Sequence, residues 1–278
     1  MSPLRLATLT LLAMTAFAGN SLLCRLALGR TGIDAASFTL IRLAAGALVL
    51  LLLSRQHLRP GAGSWQGAVT LFFYAGAFSY AYLHLSTGTG ALLLFGAVQI
   101  TMVGGGLVSG ERLGRRQWAG LALAAGGVLG LLLPGVAAPP LGGALLMLGA
   151  GVSWGLYSLL GRGAGDPTRV TAGNFLRAVP LALALCLLSA DRLVLDGAGV
   201  AYALASGALA SGLGYALWYA IVPTLGATRA AAVQLGVPAL AALGGSLILA
   251  EPLTARLLLA SAAILGGIVL VVRERRSR

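Results

Sequence analysis

Residues 255–272 read ARLLLASAAILGGIVLVV, with one charge at the second position and none after it. Wound as an α-helix at 1.5 Å per residue, these eighteen positions reach about 27 Å, close to the ~30 Å hydrocarbon thickness of a bilayer. Such a helix is apolar on every side, so water leaves its outer face without a partner. The stretch reads as a membrane span. Toward the N-terminus the same reading recurs near 230–249, 199–220, 170–189, 141–160, 117–133, 89–109, 66–85, 34–53 and 4–24. Across the 278 residues, 58% are hydrophobic and 9% charged, which no water-soluble globule matches. The sequence predicts an all-α integral membrane protein with ten transmembrane helices.

The net charge of +12 comes from 19 basic residues, all of them arginine, and its placement excludes a nucleic-acid surface. With the N-terminus inside, thirteen arginines fall on inside segments, namely Arg5, Arg55, Arg59, Arg112, Arg115, Arg116, Arg162, Arg169, Arg229, Arg273, Arg275, Arg276 and Arg278. Four fall outside, Arg25, Arg30, Arg192 and Arg256, while Arg42 and Arg177 lie within spans. That bias predicts cytoplasmic N- and C-termini. Ala16-Phe17-Ala18 before Gly19 looks like a signal-peptidase site. Nine further spans and a single arginine before it favour an uncleaved first helix. Cys24 and Cys186 read as small apolar packing residues rather than a disulfide.

The chain also repeats itself at an offset of 135–140 residues. Ser21-Leu22-Leu23-Cys24-Arg25 lies against Ser158-Leu159-Leu160-Gly161-Arg162, and Phe38-Thr39-Leu40-Ile41-Arg42 against Gly173-Asn174-Phe175-Leu176-Arg177. Gly110-Glu111-Arg112-Leu113 matches Ala250-Glu251-Pro252-Leu253, each before a Gly- and Ala-rich final helix. Five helices per half is an odd number, so the second half enters the membrane inverted. The expected organisation is a first repeat over 1–138, helices 1–5, and a second over 139–278, helices 6–10, forming one transmembrane domain. Inverted repeats offer two nearly equivalent packings with a site at their interface near the midplane. Ala122, Gly126, Gly130, Ala262 and Gly266 are the small residues expected to allow close helix packing.

These residues carry a resemblance. Ser153-Trp154-Gly155, the Phe-x-x-x-Arg and Asn-Phe-Leu-Arg stretches, and the paired Gly-Glu-Arg-Leu and Ala-Glu-Pro-Leu segments resemble the drug/metabolite transporter superfamily. Within it the chain is most similar to the ten-helix EamA-type carriers, and among those to the YddG-type exporters of amino acids and aromatic metabolites. Helix 1 departs from the pattern, with Ala18-Gly19-Asn20 where Trp-Gly is usual. The resemblance implies a central cavity lined by helices 1–4 and 6–9, with helices 5 and 10 peripheral. It also implies export of a small-molecule substrate across the bacterial inner membrane by alternating access, and the protein is expected to function as a monomer.

Helical spacing at 100° per residue sorts the polar and aromatic side chains onto faces. Phe73, Tyr80 and His84 share one face of helix 3, and Tyr74, Phe78 and Tyr82 form another. Trp154, Tyr157 and Ser158 share a face of helix 6, as do Ser211, Tyr215, Trp218 and Tyr219 of helix 8. Tyr80, Tyr82, His84, Trp154, Tyr157, Ser158, Tyr215 and Trp218 are cavity candidates, although Trp and Tyr near helix ends also build interfacial belts. Asn20, Gln99, Asn174 and Gln234 are costly against lipid and should face protein or water. Arg42 and Arg177, about 12 Å into their spans, either snorkel to carbonyls and headgroups or bind a substrate carboxylate. Gly104, Gly105, Gly106, Pro223 and Pro238 are candidate hinges.

All seven acidic residues, Asp34, Glu111, Asp166, Asp191, Asp196, Glu251 and Glu274, sit at helix ends, in loops or in the tail. Glu111 and Glu251 there complement helix N-termini. No carboxylate remains at mid-membrane to carry a coupling ion, and His84 is the one candidate for a proton. No metal cluster, cofactor motif or catalytic constellation is present in the sequence. The expected function is an amino-acid and small-metabolite exporter without an obligatory coupling ion. A proton-coupled drug or metabolite efflux carrier and an integral membrane enzyme are the alternatives.

Overall fold

The computed structural model describes residues 1–54, 62–110, 112–135 and 138–273, and every regular element among them is helical. Arg55, Arg59, Glu111, Glu274, Arg275, Arg276 and Arg278 lie outside the described residues. In chain order the helices are α1 (Pro3–Arg30), α2 (Ala35–Leu53), α3 (Trp65–Tyr82), α4 (Thr87–Val108), α5 (Arg115–Leu132) and α6 (Leu141–Leu160). There follow α7 (Pro167–Leu188), α8 (Gly197–Ala205), a π-helical segment (Ser206–Leu213), α9 (Gly214–Gln234), α10 (Gly236–Leu249) and α11 (Ala255–Arg273). Eight stretches are long and apolar enough to cross a bilayer. α3 and α5, at 18 residues each, are not among them, because α3 opens on Trp65-Gln66 and α5 on Arg115-Arg116-Gln117. The chain is a multi-pass membrane protein.

Local chemistry sets where the helices begin. Asp34 caps α2 through Ser37 N at 2.9 Å, Ser64 caps α3 through Gly67 N at 3.0 Å, Asp166 caps α7 through Thr168 N at 2.9 Å, and Asp196 caps α8 through Gly199 N at 2.8 Å. Each supplies an acceptor to an otherwise orphaned first-turn N–H.

Packing follows a pattern under exchange of the halves. α3 packs on α6 and α7, and the segment from α8 to α9 packs on α1 and α2. α4 packs on α6 as α10 packs on α1, while α2 pairs with α7, α4 with α10 and α5 with α11. The α5–α11 contact is made by Gly120, Ala124, Gly127 and Gly267, not by the residues expected from sequence. A Cβ on Gly120 would meet the carbonyl of Gly267, and one on Gly267 the carbonyl of Gly120. Ala122, Gly126, Gly130 and Ala262 turn away from this contact and are exposed, and Gly266 is half-buried with open space beside it. The small-residue rows run on adjacent faces, one residue apart, so spacing alone does not choose between them.

The helix breaks also depart from expectation. α9 is interrupted at Gly226, which takes φ 72 and ψ 160, three residues after the exposed Pro223. Pro238 lies in the first turn of α10, and the α9–α10 break at Leu235 falls three residues before it, where the missing proline N–H leaves the Gln234 carbonyl without a helical donor. Gly104, Gly105 and Gly106 leave α4 unbroken, and Gly105 instead seats the side chain of Leu159. Cys24 and Cys186 are both free and buried.

Candidate functional site

Two hollows lie on the seam between the halves. The larger, about 540 Å³, opens at the end of the bundle that holds the α2–α3 connection. Its walls come from Gly63, Ser64 and Gly67 at the start of α3, Tyr157 and Leu160 at the end of α6, and Asp166, Arg169 and Asn174 at the start of α7. Asn174 Oδ1 accepts from Ser64 N at 2.7 Å, and its Nδ2 donates to Tyr157 Oη at 3.3 Å. Gly63 has φ +84, and a Cβ there would come within 2.6 Å of Asn174 Oδ1. Only glycine lets the loop meet α7 this closely.

The smaller hollow, about 40 Å³, is bounded by Phe17, Asn20 and Ser21 of α1, Tyr74 and Phe78 of α3, Leu94 and Phe95 of α4, Trp154 of α6, Ala210, Tyr215, Trp218 and Gln234. Trp154 is sandwiched between Tyr157 (5.2 Å, 22°) and Tyr215 (5.2 Å, 17°), with Tyr74 tilted against it at 4.9 Å. Tyr157 lines the larger hollow and Trp154 the smaller, so this stack is the partition between them.

Behind Tyr74 and Phe78 sits Arg42, 1% exposed. Its guanidinium carbon lies 4.8 Å from the Phe78 ring centre and 5.2 Å from that of Tyr74. Nη2 donates to Tyr74 Oη at 3.0 Å, Nε reaches Ser211 Oγ at 3.5 Å, and Nη1 has no hydrogen-bond partner. An arginine at a helix centre costs ~3 kcal/mol on insertion. Two desolvated cation–π contacts at up to ~2 kcal/mol each are of that size. Ser206 Oγ donates to Asn20 Oδ1 at 2.7 Å, and Asn20 Nδ2 to Tyr74 Oη at 3.4 Å. The π-helix makes this possible, since its i→i+5 bonding brings residues five apart to one side. Ser206 and Ser211 both face inward, and Gly207 lets the α2 backbone approach at the Arg42 carbonyl.

At the opposite end, where α1 connects to α2, the bundle is tied shut. Arg25 Nε pairs with Glu251 Oε1 at 3.3 Å, its Nη1 donates to Tyr82 O at 2.9 Å, and Glu251 Oε2 accepts from Thr87 N at 2.8 Å. Glu251 thus serves the N-terminus of α4, where a carboxylate meets the positive end of the helix dipole. Asp34 N donates to Val194 O at 3.1 Å, and Val194 N to Asp34 Oδ2 at 2.9 Å. Burial alone would raise the Asp34 pKa, but hydrogen bonds from Ser37, Val194 and Ala36 outweigh it and hold the carboxyl below its ordinary value.

Asn20, Trp154, Tyr215, Trp218 and Gln234 meet around the small hollow, and Tyr157 and Asn174 line the large one. Arg177 donates through Nη1 to the carbonyls of Ala62 and Gly173, so it holds a loop. Tyr80 is half-buried, and His84 is exposed beyond the end of α3; neither lines either hollow. The inward face of α3 is that of Tyr74 and Phe78. Tyr82 is fully buried on that face too, but its hydroxyl donates to Thr87 O at 3.2 Å, a structural bond. Ser158 Oγ donates to Trp154 O within its own helix, and Gln99 is half-buried and lines neither hollow. Phe17, Ser21, Tyr74, Phe78 and Ser206 are site residues that sequence faces alone missed. Phe17 lies three residues before Asn20, and that spacing was the available signal.

Residues 141–273 match the EamA-like transporter family. The C-terminal part of the chain is thus similar to an EamA-like transporter domain. The "Uncharacterized protein PA1977" of Pseudomonas aeruginosa is 62% identical over 273 residues, covering 97% of this chain and 95% of that protein. An "Uncharacterized transporter" of Archaeoglobus fulgidus is 42% identical over 62 residues, 22% of each chain. A crystal structure of a protein 22% identical to this chain covers 98% of it and 99% of its own length with a TM-score of 0.68, so the two share a fold. The match of residues 141–273 to the EamA-like transporter family points to a membrane transporter rather than an enzyme.

Proposed function

We propose that this chain exports amino acids and related small metabolites across the bacterial inner membrane by alternating access, spanning it ten times with both termini cytoplasmic. The observation that carries this reading is the difference between the two ends: one is tied by Arg25, Glu251, Thr87, Asp34 and Val194, the other opens into about 540 Å³. Between them lies a small polar and aromatic chamber walled off by the Trp154 stack. The packing pattern that survives exchange of the halves supports an inverted repeat over 1–138 and 139–278. Under the arginine bias, the open end faces the cytoplasm.

Transport runs without an obligatory coupling ion. Among the described residues no carboxylate borders the chamber, and His84, the one sequence candidate for a proton carrier, is exposed past a helix end. A buried arginine with no carboxylate beside it also disfavours cationic drugs. Purified protein in liposomes should support counterflow of at least one labelled amino acid from a broad panel, and an imposed pH gradient should not change the final distribution. Accumulation driven by that gradient would replace this reading with a proton-coupled carrier, and absence of counterflow across the panel would reject amino-acid export.

A further inference from the structure

We infer that the central chamber is a carboxylate site, in which Tyr74 and Asn20 meet the anionic end of a small organic acid and Arg42 supplies the balancing charge. This rests on the transport reading above and narrows its substrate class.

The argument begins with hydrogen-bond capacity. A tyrosine hydroxyl has two lone pairs and one proton. At Tyr74 the lone pairs are met by Arg42 Nη2 and Asn20 Nδ2, while its proton has no acceptor among the described residues. Asn20 cannot turn to supply one, because its carbonyl oxygen is held by Ser206 Oγ at 2.7 Å. Tyr74 and Asn20 both border the chamber, so this part of its wall presents donors.

Charge points the same way. Arg42 is 1% exposed and Nη1 is unpartnered. Among the described residues the ion pairs are Arg25–Glu251 and Arg192–Asp191, neither of which involves it. The guanidinium lies behind Tyr74 and Phe78 and acts mainly through Tyr74 Oη, which it makes a stronger donor. The fixed positive charge in a water-poor span disfavours a cation and favours an oxyanion. Facing the donors are the rings of Trp154, Tyr215 and Phe17, which suit an apolar or aromatic body. At about 40 Å³ the chamber is contracted in this state, so entry requires the Trp154–Tyr157 partition to move. The carboxylate is the obligatory group and an α-amine is dispensable.

Thermal stabilisation of the purified protein by phenylpropionate, its methyl ester and phenethylamine tests this, with acetate and L-phenylalanine alongside. Phenylpropionate and L-phenylalanine should stabilise the protein, and the ester and amine should not. Tyr74→Phe keeps the ring and removes the hydroxyl, and should weaken phenylpropionate by roughly tenfold or more, the usual loss for a hydrogen bond to a charged group. Arg42→Gln should weaken it further and Arg42→Lys less, and Tyr74→Phe carries the test if Arg42→Gln does not fold. Equal stabilisation by the amine, indifference to Tyr74→Phe, or no stabilisation by either aromatic acid overturns the inference. Counterflow of an amine or neutral solute would do so too, while leaving transport itself standing.

Discussion

α2 and α7 both begin on an aspartate cap and both carry an arginine deep in the helix, yet each member of the two pairs has a different task. Asp34 caps α2 and also bonds Val194 across to the next connection, whereas Asp166 caps only its own helix and borders the open cavity. Arg177 spends its guanidinium on the carbonyls of Ala62 and Gly173, while Arg42 keeps one nitrogen unpartnered. Two similar sequence segments therefore make different contacts. At one corner Asp34 and Val194 bond the two connections together; at the other Asp166 borders the open cavity.

The sharpest way to break this asymmetry is Asp34→Ala. The cap is lost from closed and open forms alike, so the difference rests on the bond from Val194 N. A hydrogen bond to a charged group is worth about 1.5–3 kcal/mol, which shifts the corner roughly tenfold or more toward opening. Ile33 is 3% exposed, so Ile33→Cys in a protein lacking Cys24 and Cys186 should label slowly with an impermeant maleimide and much faster after Asp34→Ala. Unchanged labelling would mean that the Asp34–Val194 contact does not close the corner.

A smaller effect is expected from acid. The Asp34 pKa is lowered in this conformation, so its contribution to closure is complete above the ordinary carboxylate value and fades as pH falls through the lowered one. Labelling of Ile33→Cys, corrected for thiol reactivity, should be flat from pH 8 to 5 and rise only below about pH 4. A rise already at pH 5 to 6 would assign closure to another group.

The smallest effect belongs to Asp166→Asn. Asparagine caps a helix about as well as aspartate, and among the described residues Asp166 makes no bond across its corner beyond its own first turn. Labelling at the Asp34 corner should therefore stay within about twofold of the parent, since surface changes of this kind rarely exceed ~0.5 kcal/mol. A larger change would show that the corners are coupled through Asp166 in the closed state.

Eight spans were legible because bilayer thickness writes itself directly into apolar run length. The acidic residues were placed at helix ends and connections correctly at Asp34, Asp166, Asp191, Asp196 and Glu251. The site was half legible. Trp154, Tyr157, Asn20 and Asn174 are polar or amphipathic enough that burial against protein was the cheap outcome. The inward face of α3 was not, because Tyr80–His84 and Tyr74–Phe78 offer comparable stripes, and only packing against α6 chooses between them. In helix 8 the face of Ser211, Tyr215 and Trp218 was legible but Ser206 was not, because a 100° step assumes α geometry and Ser206–Leu213 does not have it.

That π-helical segment has a further consequence. A π turn holds about one residue more than an α turn, so Ser206–Leu213 stores a residue that a plain helix would not need. Here chain length, as much as residue identity, carries information. Removing one residue would let the segment relax to ordinary winding, swinging Ser211 away from Arg42 and re-aiming Tyr215 without altering either side chain. Within a single helix, the site can be retuned by arithmetic.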